Sequence, residues 1–84
     1  MDKKKILICE DDIAIQDLID LYLDKDKYQA LFAGDGAEAL DRFREEKPDL
    51  ILLDINMPKK SGTEVCEEIR KSSLVPIIFI SSRD

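Results

Sequence analysis

Pro48-Asp49-Leu50-Ile51-Leu52-Leu53-Asp54 leaves a proline, runs through four aliphatic residues and ends on a carboxylate. The run does not alternate apolar with polar residues. As a strand it is therefore buried on both faces, the habit of a parallel sheet covered by helices. Two other runs have the same character. Ile6-Leu7-Ile8-Cys9 is cut off by Glu10-Asp11-Asp12, and Ile77-Ile78-Phe79-Ile80 follows Pro76 and leads into Ser81-Ser82. Tyr28–Ala33 is a weaker strand candidate.

Amphipathic stretches fill the intervals. Ile15, Leu18, Ile19 and Tyr22 recur at helical spacing and predict a helix over roughly Ile13–Lys25. Asp35-Gly36-Ala37-Glu38 has the spacing of a capping box and opens a second helix, with Ala39, Leu40 and Phe43 inward and Pro48 marking its end. Ser61-Gly62-Thr63-Glu64 opens a third, with Val65, Cys66 and Ile69 inward. The order is β-α-β-α-β-α-β. Right-handed crossovers and short loops make this a doubly wound α/β sheet, with the first helix on one face and the other two on the opposite face.

Composition narrows the chemistry. The 84 residues suit one small domain, and 13 Lys and Arg against 19 Asp and Glu give a net charge of −6, a poor basis for gripping nucleic acid. Histidine is absent and there are two cysteines. That removes imidazole bases, His-paired nucleophiles and closed zinc cages. Carboxylates, hydroxyls, lysine and a hard cation remain. No apolar run is long enough for a membrane span or a secretory signal, so a cytoplasmic protein with reduced Cys9 and Cys66 is expected.

Ligands of open α/β sheets bind beyond the carboxyl ends of the strands. Here the first strand ends in Glu10-Asp11-Asp12, the third in Asp54 and the fourth in Ser81-Ser82. If the first and third are neighbours, about 4.8 Å separates them and their carboxylates converge. Crowded carboxylates repel, and Mg²⁺ with oxygen ligands resolves the repulsion. For each acid alone there is a plainer reading: Asp12 as a helix cap, Glu10 and Asp11 as solvated loop charges. Asp54 fits that reading least, because it directly extends a buried run.

In this order and spacing the motifs resemble the receiver domain of two-component response regulators. The likeness rests on residues 6–12, Gly36-Ala37-Glu38-Ala39-Leu40, residues 48–58, Ser61-Gly62 and residues 76–83. It implies a flavodoxin-like sheet with strand order 2-1-3-4. It also implies that Asp54 accepts a phosphoryl group from a sensor histidine kinase. Asp11 and Asp54 would hold Mg²⁺, with Glu10 assisting through water and Asn56 through its backbone carbonyl. Ser81 would hydrogen-bond the phosphoryl group and pass its arrival to neighbouring elements. Ser82-Arg83-Asp84 and Glu10-Asp11-Asp12 are similar to the branch that regulates winged-helix DNA-binding domains, which makes the parent protein a transcriptional regulator.

Receivers of this kind have a fifth strand and two further helices, so residues 1–84 are expected to be the N-terminal portion of the domain. The lysine and the aromatic switch residue of the fifth strand region have no counterpart, and Lys59, Lys60 and Lys71 lie in the wrong elements to stand in for that lysine. Mg²⁺ binding is expected to survive and output to be lost. The fourth strand becomes a hydrophobic edge through which chains are expected to associate. Two rivals are an inert fragment serving as a scaffold and, further behind, a Mg²⁺-dependent aspartyl-phosphate phosphatase. The second is weakened because Asn56 stands where such enzymes carry another Asp.

Overall fold

A computed structural model describes residues 3–81. Its elements follow in the order β1 (Lys4–Cys9), α1 (Ile13–Tyr22), β2 (Tyr28–Ala33), α2 (Gly36–Glu46), β3 (Leu50–Asp54), α3 (Gly62–Arg70) and β4 (Ile77–Ile80). The four strands form one sheet in the order β2-β1-β3-β4, with every neighbouring pair parallel. This is the doubly wound arrangement expected from the alternation of buried runs and amphipathic stretches.

The register sorts the side chains. Leu7 lies level with Leu31 and Ile51, and Cys9 with Ala33 and Leu53. These six pack with Ala39 and Leu40 of α2 and Val65 and Ile69 of α3 into the main buried cluster. Ile6 and Ile8 point to the opposite face, as strand alternation requires, and are also buried. Right-handed crossovers leave that face to α1. Pro76 precedes β4, yet its carbonyl accepts the Ile51 N–H at 3.0 Å, so the missing proline donor disturbs no rung.

The helix boundaries have local causes. Asp12, Asp35 and Ser61 cap the three helices, each accepting a backbone N–H from the first turn. Lys47 closes α2 in the left-handed conformation at φ 49°, just before Pro48. The first helix is shorter than the predicted Ile13–Lys25. Asp24 folds the chain into a turn instead, its carboxylate accepting the Asp26 N–H and its carbonyl those of Lys27 and Tyr28.

The predicted inward stripe of α1 is covered only in part. Ile15 and Ile19 are half-buried, whereas Leu18 is exposed and Tyr22 is 81% exposed. One helix is narrower than the four-stranded face it lies on, so its flanks stay open.

Candidate metal centre

Backbone bonds carry the sheet one residue past its register on either side of the site. The Glu10 N–H donates to Ala33 O at 2.9 Å, continuing the β1–β2 ladder beyond Cys9. The Ile55 N–H donates to Ile80 O at 3.1 Å, continuing the β3–β4 ladder beyond Asp54. Cys9 and Leu53 are register partners, so Glu10 and Asp54 leave adjacent strands at the same level. A side chain at Gly62 would stand 2.3 Å from Asp54 O, so only glycine lets α3 begin against the end of β3.

Glu10 is 0% and Asp54 1% exposed, while Asp11 is open to solvent. Carboxylate oxygens from all three lie within 4.8 Å of one another. One oxygen of each buried group is satisfied: Glu10 Oε2 accepts the Asp12 N–H at 3.0 Å, and Asp54 Oδ1 accepts the Asn56 N–H at 3.1 Å. Glu10 Oε1 and Asp54 Oδ2 are buried with no partner. Burial pushes the Glu10 carboxyl up to about 7, against the pull of the Asp12 N–H and with the charge of Asp54 adding to the rise.

Two dry carboxylate oxygens without donors, beside a third carboxylate, are costly unless a positive charge completes them. The donor set is all oxygen, which suits Mg²⁺ or another hard divalent cation. Cys9 adds no ligand, because burial raises its thiol to about 12 and leaves it protonated. The residues present therefore fit the group that the resemblance implies.

The other expected site residues are distributed as follows. Asp12 is the α1 cap, its Oδ1 accepting the Ala14 N–H at 2.9 Å, so the plainer reading holds for it. Asn56 is exposed and lines a cleft of about 390 Å³ together with Asp11, Ile55, Met57, Pro58 and Ser61. Ser81 directly follows Ile80, the register partner of Asp54, and is exposed. Ser82, Arg83 and Asp84 lie outside the described residues.

Glu10 is as deeply buried as Asp54, so the plainer reading of it as a solvated loop charge does not hold. Sequence reasoning missed Gln16, whose Nε2 donates to Glu10 O at 2.6 Å and ties α1 to the end of β1. Its only signal is position: one helical turn after Asp12, it reaches back toward the strand end.

Comparison with known proteins agrees with this geometry. A family described as "Response regulator receiver domain" matches residues 6–84. The chain is 43% identical over 82 residues to "Probable transcriptional regulator ycf27" of Cyanophora paradoxa, covering 98% of this chain and 34% of that protein. It is 45% identical over 80 residues to the protein of the same name from Guillardia theta, covering 95% of this chain and 32% of that one. The chain thus spans about a third of the length of these curated relatives. Among solved structures, the chemotaxis response regulator CheY4 of Vibrio cholerae superposes with a TM-score of 0.89 at 29% identity, over 98% of this chain and 71% of that one. The receiver domain of the Francisella response regulator 1452 gives 0.87 at 29% identity, over 98% and 69%. A parallel sheet in the order 2-1-3-4, carboxylates gathered at the ends of its two central strands and a family match over nearly the whole chain lead to one conclusion: this chain belongs to the response regulator receiver domain family.

Proposed function

We propose that this receiver accepts a phosphoryl group on Asp54 from the phosphohistidine of a sensor histidine kinase, in a Mg²⁺-dependent reaction. The observation that carries the reading is the pair of buried, partnerless oxygens on Glu10 and Asp54 beside Asp11. Asp11 and Asp54 would hold the cation, with the Asn56 carbonyl and, through water, Glu10. The cation would neutralise the gathered carboxylates and the incoming phosphoryl oxygens.

The rest of the chemistry belongs to the chain. A carboxylate oxygen of Asp54 forms the new O–P bond as the N–P bond of the donor breaks. The electron pair stays with the imidazole, which takes up a proton. Asn56 steadies Asp54 through its N–H, and Ser81, next to the register partner of Asp54, would hydrogen-bond the bound phosphoryl group. The domain acts as a stoichiometric acceptor, not as a turnover catalyst.

The names of the curated relatives support a transcriptional regulator as the parent protein, with DNA contact made elsewhere than in this acidic segment. A cytoplasmic setting follows from the same reading, and no described helix is long and apolar enough to cross a membrane. A second reading, assembly of chains through β4, has its own support: among the described residues β4 is an outer strand of the sheet, and Ile78 on it is 52% exposed.

The test is incubation with Mg²⁺ and a small acyl phosphate, followed by intact mass measurement. A phosphoryl adduct is expected on the native chain and none on Asp54→Asn. Absence of an adduct across a range of donor concentrations overturns the acceptor reading.

A further inference from the structure

Residues 55–61 link Asp54 to the cap of α3, and the start of α2 grips this loop from outside the carboxylate cluster. The Gly36 N–H donates to Pro58 O at 3.3 Å, and Lys59 Nζ lies 3.4 Å from Asp35 Oδ2. A Cβ on Gly36 would stand 2.4 Å from Lys60 O and 2.9 Å from Lys60 C. Those atoms are backbone and cannot swing aside as a side chain could. The loop is bent to reach this seat: Lys59 adopts φ 70°, a left-handed conformation unfavourable for a residue with a side chain. The Lys60 N–H folds back onto Pro58 O at 2.8 Å.

We propose that Gly36 is a positioning residue for the candidate cation site. By admitting the Pro58–Lys60 backbone against α2, it fixes where Asn56 stands and how the loop wall of the cleft faces Asp11. The inference rests on the Mg²⁺ reading of the site. Its route is short. The loop that Gly36 seats begins directly after Asp54, and the Asn56 N–H in it holds Asp54 Oδ1. A loop pushed off its seat therefore disturbs a proposed ligand and the backbone of another together. Alanine favours the helix over glycine, so loss in Gly36→Ala would come from the lost close approach and not from α2 itself.

The full chain is titrated with Mg²⁺ alone by calorimetry, and its melting is followed separately in EDTA. Gly36→Ala is expected to bind Mg²⁺ about tenfold more weakly, the lower end of what losing outer support of a metal site costs. A merely structural glycine would lower the metal-free melting temperature and leave the affinity unchanged; that result overturns the proposal. Should the variant fail to fold, amide spectra of the native chain decide. Mg²⁺ is expected to shift the Gly36 resonance together with that of Asn56, and a stationary Gly36 beside a shifting Asn56 overturns the inference. A native chain that takes up no Mg²⁺ overturns the cation reading as well, and shows this before any variant is compared.

Discussion

Glu10 is buried completely, yet only one of its carboxylate oxygens has a partner. Without metal, the folded chain keeps the Glu10 proton up to about 7, while the unfolded chain releases it near 4.5. Between those values the unfolded state binds fewer protons, so stability falls as pH rises through the window. Denaturation in EDTA across that range is expected to show the decline and, for Glu10→Gln, a flatter profile. At neutral pH the glutamine variant is expected to be more stable by about 1–3 kcal/mol, since it relieves a charge buried beside another. The same variant is expected to bind Mg²⁺ more weakly. A native profile that rises through the window would sink the assignment. Asp54 and Asp11 were legible in the sequence because one ends a buried run and the other lies just past the end of its neighbour. The depth of Glu10 was not. Taken alone, Glu10 and Asp11 could be solvated loop charges, and the bond from Glu10 to Ala33 O is made to a distant strand that the local sequence does not announce.

At the scale of elements, local chemistry was the most readable. Ser61 accepts the Glu64 N–H at 3.3 Å and donates its own to Glu64 Oε1 at 3.1 Å, completing the box that four residues of sequence announce. That bond to Ser61 holds the Glu64 carboxyl below its usual value. Ser61→Ala is expected to cost about 1 kcal/mol in urea denaturation; an unchanged midpoint would show the cap to be idle. The end of α1 was harder to place, because the apolar periodicity fades gradually while the turn at Asp24 stops the helix at once. Gly62 stands in that capping box, but nothing near it in the sequence names the Asp54 carbonyl that a side chain there would meet. A glycine announces that something comes near without saying what does.

For the whole molecule, the layers followed from handedness and burial, whereas the strand order 2-1-3-4 came from the resemblance to receivers; the sheet has that order. What sequence periodicity could not give was how much of α1 stays uncovered, since that depends on the width of the sheet and not on the helix. Ile78 and Phe79 on β4, with Leu18 and Tyr22 on α1, leave apolar surface open among the described residues. If chains associate through β4 as proposed, sedimentation at micromolar concentration is expected to give a mass above that of the monomer; a purely monomeric boundary would refute it.

The register between Cys9 and Leu53 also bears on time. Parallel neighbours cannot zip together from a tight turn. All of α1, β2 and α2 lies between β1 and β3, and the chain must cross over before they meet. Glu10 and Asp54 are therefore expected to become neighbours only once that crossover has been made. A cation that needs both finds nothing to hold in the half-formed chain. A cation held between the two carboxylates is expected to slow unfolding more than it speeds folding, which unfolding rates in Mg²⁺ and in EDTA would show.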